Sequence, residues 1–147
     1  MNSGGIVALR YAKEIHAIAG CPPSEALPRA TIGFRFVTKD LADDQNFKPV
    51  ALLQPSRAVG PLSITHCCCG YALSMFQSMK HLRAKAQAMQ KSAPLFLKRV
   101  GDHYAKIDIQ PMDGTCTLPN SSGHFAFFES KGFVGVLAVK EHGVLQL

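Results

Sequence analysis

From His103 to the last residue the sequence keeps returning to one device, a short apolar run closed by a glycine-bearing spacer. HYAKIDI, TCTL, HFAFFE, FVGVLAV and VLQL are separated by PMDG, PNSSG, SKG and KEHG. Runs of that length are strand-sized, and the glycine in each spacer can take the positive φ that tight turns need. Strands following one another through short links predict an antiparallel meander. TIGFRFVT (31–38) adds a strand of the same kind, with Ile32, Phe34 and Phe36 alternating against Gly33, Arg35 and Val37.

One helix stands out against this β pattern. Ser78 is a good N-cap, and Met79, Leu82, Ala86 and Met89 recur at helical spacing over 79–91. Lys80, Arg83, Gln87, Gln90 and Lys91 fall on the opposite face, and Pro94 then interrupts. The class predicted is α+β: a mostly antiparallel sheet, with a C-terminal meander, on which one main amphipathic basic helix packs. Between the first strand and the helix, Asp40 caps a short turn or helix through LADDQNF, VALLQP reads as a short strand or an extended edge, and PSRAVGP is loop. ITHCCCGYALSMF (64–76) reads as extended structure broken at Gly70.

At 147 residues the chain is the size of one domain. The first thirty residues differ in texture: AIAGCPPSEALPRA holds Gly20, Pro22, Pro23 and Pro28. They are expected to form a flexible leader at 1–30, ahead of a single domain at 31–147. A hydrophobic content of 47% with 18% charged residues is globular rather than disordered. No apolar run approaches the roughly 18–20 residues that span a bilayer. Arg10, Lys13 and Glu14 interrupt the N-terminal apolar stretch too early for a secretory signal. A soluble, cytoplasmic protein with no membrane partner is expected. Five cysteines are an odd number without framework spacing, so reduced thiols are expected as well.

The formal charge of +6 is concentrated. Residues 78–106 carry seven basic side chains against Asp102 alone, while residues 107–147 carry more acid than base. Lys80, Arg83, Lys85, Lys91, Lys98 and Arg99 are the candidate anion-binding residues, and nucleic acid or an acidic protein the candidate partner. Against this stands the plain alternative of a solvated helix face.

Two further features carry possible chemistry. His66 precedes Cys67, Cys68 and Cys69, which makes His66, Cys67 and Cys69 candidate metal ligands. Zinc sites space paired cysteines two to four residues apart and recruit a second pair. This triplet fits that pattern poorly, so core packing of small polarizable side chains is favoured and no cofactor is expected. His103 and His124, in GDHYAK and SGHFAF, are the candidate catalytic residues. Each is read as His-aromatic-Ala after a glycine-bearing turn, a degenerate form that resembles the paired motif of the two-histidine phosphoesterases. That resemblance implies acid and base work on a phosphate ester. Ala105 and Ala126 stand where the family has a hydroxyl, and the histidines lie 21 residues apart.

GFRFV, NFKP, ALSMF, GDHYA, DGTCT and GHFAFF together resemble small bacterial accessory proteins of mobile-element or gene-cassette type, over about residues 32–133. That resemblance implies a narrow accessory role and attaches no site residues. The functional expectation is a small binding protein that contacts an anionic partner through the basic helix and is more plausibly not an enzyme. An interaction or immunity-type protein acting through a sheet edge, open to homo-oligomer formation at VLQL, is the alternative. A small phosphoesterase or nuclease-like enzyme is the third.

Overall fold

The computed structural model of the protein describes residues 8–54 and 68–147. Its strands are β1 (Thr31–Val37), β2 (Leu73–Phe76), β3 (His103–Ile109), β4 (Gly114–Cys116), β5 (His124–Glu129) and β6 (Val139–Val144). They form one antiparallel six-stranded sheet in the order β4-β5-β2-β1-β3-β6. The main helix, α3, spans Met79–Ser92; short helices are α1 (Ala12–His16), α2 (Val50–Leu53), α4 (Phe96–Val100) and α5 (Gly135–Ala138). The class is α+β.

The C-terminal strands do not neighbour one another in chain order, as a meander would require. Only β4 and β5 are consecutive neighbours there, while β1 and β2 sit at the centre between β5 and β3. Turn chemistry marks where strands end, and sheet order is decided by which apolar faces can be covered. FVGVLAV also divides: Gly135–Ala138 is helical and the strand begins only at Val139. VALLQP likewise gives a helical turn at Val50–Leu53 after Pro49, with Ala51 buried and Leu52 and Leu53 exposed. Runs this short carry too few residues for their period to discriminate helix from strand.

Paired residues share a face, so register sorts the side chains into two sets. Val37, Leu73, Met75, Ala105, Ile107, Phe125 and Phe127 form one continuous core, with Phe127 and Ile107 wholly buried. Leu41, Phe47, Phe133 and Ala138 close it from outside. On the other face, Leu82 and Ala86 of α3 pack with Phe76 and Leu145, and Phe34, Phe36 and Tyr104 lie against that cluster. β1 therefore buries Gly33 and Val37 most deeply, with Phe34 and Phe36 half-buried. A central strand is covered on both faces, which weakens the simple in-out alternation.

α3 starts as its sequence predicts. Ser78 is extended, and its Oγ accepts from the His81 backbone N–H at 3.2 Å. The helix ends at Ala93, because the residue before Pro94 is sterically driven out of helical geometry. The chain then turns through α4 into β3 at Gly101 (φ 102°), where any Cβ would collide with the Val37 carbonyl.

Residues 8–30, read from sequence as a leader, pack on the sheet. Leu9 and Ser130 form a β-bridge, as do Leu27 and Cys116. Leu9, Ile15, Cys21 and Ala26 are buried with Ala72, Ala126 and Phe128. The expectation of wholly reduced cysteines is corrected too: Cys21 and Cys68 form a disulfide with Cα atoms 5.7 Å apart. Spacing along the chain could not show it, because the wrapping of the N-terminal segment is what brings the pair together. Nor is the cysteine stretch a strand where it is described; Cys68 and Cys69 lie in a helical turn ahead of β2.

Candidate anion-binding cleft

The central seam of the sheet opens. β1 and β2 pair at Phe34 and Phe76, whereas β2 pairs with β5 along its whole length. Beyond Phe34 the Arg35 side chain takes over the connection. Its Nη1 donates to the Ser74 carbonyl at 2.8 Å and its Nε to the Asn46 carbonyl at 2.7 Å. Burial pulls its pKa down to about 10, an effect opposed by Glu129, so the group stays cationic at neutral pH. An arginine in the middle of an apolar strand thus replaces ladder hydrogen bonds with its own.

A cavity of about 540 Å³ lies at this opening. Arg35, Lys48, Lys85 and Arg99 line it, and no Asp or Glu does so among the described residues. One wall is aromatic. Phe36 meets Phe96 edge-on at 5.4 Å and Phe76 at 6.0 Å, and Phe76 meets the His124 ring at 5.4 Å. Two-sided packing of this kind holds rings in fixed orientations.

His124 begins β5 and Ser74 lies in β2, two positions along the same face, since His124 pairs with Phe76 and Ala126 with Ser74. Their Nε2 and Oγ are 2.9 Å apart. Burial lowers the His124 pKa and the nearby Lys85 cation lowers it further, so the imidazole is neutral at pH 7. The turn before it is built by Asn120, whose Oδ1 accepts from the backbone N–H groups of Ser122 and His124, each at 3.0 Å. Gly123 takes φ 76° there, and the His81 ring of α3 occupies the space that a Cβ would need. The turn therefore docks against the first turn of α3, next to the Ser78 cap.

The candidate residues divide between this cleft and other surfaces. Lys85 and Arg99 line the cleft; Lys80, Lys91 and Lys98 are exposed and outside it. Arg83 lies on the other flank of the helix, near Tyr104, whose hydroxyl donates to Glu141 at 2.7 Å. His103 and His124 are not brought together. His103 pairs with Val37 while His124 shares the face of Phe34 and Phe76, so their rings project from opposite faces. His103 instead bonds Asp102 through Nδ1 at 2.7 Å and lies 5.5 Å from the His142 ring. The reason is parity: the sheet register puts the two candidate positions out of phase.

Of the metal candidates, His66 and Cys67 lie outside the described residues. Cys69 is half-buried beside the cleft, with its thiol pushed up by burial and, less, by Glu25. Cys68 is committed to the disulfide. Among the described residues no three His, Cys, Asp or Glu side chains are grouped to hold a metal ion. Arg35, Lys48 and Ser74 are among the cleft residues missed from sequence. For Arg35 and Ser74 a signal was present, since each is a polar side chain inside an apolar strand, where burial without a partner is costly.

No family model, no curated protein and no solved structure matches this chain. Among the described residues, no helix is long and apolar enough to cross a membrane.

Proposed function

We propose that the protein binds a small anionic ligand in the seam cleft, most specifically a phosphate monoester with a flat apolar group. The observation that carries this reading is the gathering of Arg35, Lys48, Lys85 and Arg99 around one cavity whose described lining holds no carboxylate. Lys48 pairs with Asp44 at 2.8 Å, so Arg35, Lys85 and Arg99 supply the excess charge. An excess of one sign in a concave, partly apolar site raises the local concentration of counter-charged ligands. The volume falls within the roughly 300–1,000 Å³ typical of small-molecule sites. Phosphate suits guanidinium and ammonium donors beside hydroxyl and amide groups such as Ser122 and Asn120. Phe36, Phe76 and Phe96 offer the apolar part of a ligand a matching wall. A nucleic acid would engage through a single unstacked, phosphorylated nucleotide rather than by lying along α3.

Calorimetric titration with phenylphosphonate, the carbon-linked counterpart of phenyl phosphate, tests this. Wild type should bind saturably, and Lys85→Glu with Arg99→Glu should weaken binding by about tenfold or more, since each charged hydrogen bond contributes about 1.5–3 kcal/mol. Lys80→Glu with Lys91→Glu changes net charge equally and should shift affinity by less than about threefold, through screened long-range terms alone. Equal losses in both double variants would replace the cleft with a diffuse surface field.

A further inference from the structure

We propose that the cleft is also catalytic: Ser74 is a nucleophile and His124 its base, in the hydrolysis of phosphate monoesters. The inference rests on the anion-binding reading and goes beyond it, because binding alone does not require this pair. A serine hydroxyl is a weak nucleophile until an adjacent base takes its proton. His124 Nε2 stands 2.9 Å from Ser74 Oγ, within the reach such a transfer needs. The imidazole packs against the Phe76 ring at 5.4 Å, and Asn120 fixes the backbone from which it projects by accepting from the His124 N–H.

The strand itself argues against a packing role for Ser74. In β2 its neighbours Leu73, Met75 and Phe76 are buried, whereas Ser74 is exposed into the cleft. Lys85 lines the same cavity and is near enough to His124 to lower its pKa, so a cation lies by the pair. A cation there neutralises charge spread over the equatorial oxygens of a transferring phosphoryl group. Arg35 bonds the Ser74 carbonyl at the seam from a strand position whose register points it to the other face.

The steps balance with water as the co-reactant. Ser74 Oγ attacks phosphorus as its proton moves to His124 Nε2; the Oγ–P bond forms and the bond from phosphorus to the ester oxygen breaks. The imidazolium returns that proton to the departing alkoxide. Water then attacks the phosphoserine, giving its proton to His124. The P–Oγ bond breaks and Ser74 Oγ is reprotonated, releasing inorganic phosphate. No atom changes oxidation state.

The test follows p-nitrophenolate release from p-nitrophenyl phosphate beside titrations of the same preparations with phenylphosphonate, whose P–C bond this chemistry does not cleave. Wild type should turn over p-nitrophenyl phosphate saturably, and an acid quench should leave a phosphoryl adduct on the peptide that contains Ser74. Ser74→Ala and His124→Gln should each lower kcat by about 10²–10⁴-fold, the usual span for loss of proton transfer, with phenylphosphonate affinity kept within about threefold. Turnover by Ser74→Ala at the wild-type rate, or phenylphosphonate bound by wild type but p-nitrophenyl phosphate left intact, overturns the catalytic inference and leaves the binding reading standing. Absence of phenylphosphonate binding removes both.

Discussion

The two faces of the sheet are made from alternate residues of the same strands, yet one is sealed and the other stays open. On the sealed face, Val37, Met75, Ile107, Phe125 and Phe127 meet across four strands under Phe47, Phe133 and Ala138. On the open face, α3 covers Phe34, Phe36 and Phe76, the N-terminal segment covers Ala126 and Phe128, and Ser74 and His124 lie between those covers. Two polar strand positions fill the gap between the two covers, and Arg35 reaches the seam from the parity of the sealed face. The packed core and the proposed site thus occupy opposite sides of a single layer, and substitutions should separate them.

The largest effect belongs to the sealed face. Phe127→Ala, at a side chain with no exposure, should cost about 3–5 kcal/mol in urea unfolding. A loss under about 1 kcal/mol would mean that this face is not the stabilising core. Next comes the N-terminal lid of the open face. Replacing both Cys21 and Cys68 by Ala removes the disulfide, which closes a separation of 47 residues, and should cost about 2–4 kcal/mol. Thermal unfolding with and without reductant checks it, and an unchanged Tm would detach residues 8–30 from the fold. Ser78→Ala should cost about 1 kcal/mol through the lost α3 cap. It should also loosen the Gly123 turn that leans on His81, visible as faster amide exchange at Ser122 and His124.

The smallest effect is on pH dependence. His124 titrates lower when folded than unfolded, through burial and Lys85. As pH falls from about 6.5, the ordinary histidine value, the unfolded chain takes up a proton that the folded chain refuses. His124 should therefore contribute stability that is fully present above that value and is lost as pH falls through the folded pKa. Unfolding curves across this range should be steeper in pH for wild type than for His124→Gln. Identical profiles would mean that His124 is not held neutral in the cleft.

Much of the local structure was legible. The β1 strand, the Ser78 cap and the face of α3 that carries Leu82 and Ala86 all follow from residue type and spacing, because each is settled within a few residues. What was not legible depends on distant partners. The β5-β2-β1-β3 order sets which parity each histidine takes, so His103 and His124 looked alike in sequence and sit on opposite faces. Cys21 meets Cys68 only after the N-terminal segment wraps the sheet. Lys85 and Arg99 could not be told from Lys80 and Lys91 by charge; only their position at the seam distinguishes them. Arg35 and Ser74 were readable in principle as polar side chains within apolar strands, although their meeting depends on the β1–β2 opening.

Amide chemical-shift mapping during a phenylphosphonate titration separates the cleft from the outer surface of α3. Saturable shifts are expected at Ser74, Ser122 and His124 and at the Arg35 side-chain Nε, with Val37, Ile107 and Phe127 of the sealed face unmoved. Shifts confined to Lys80, Arg83 and Lys91 on the outside of α3, or shifts that grow linearly without saturation, would contradict binding in the cleft.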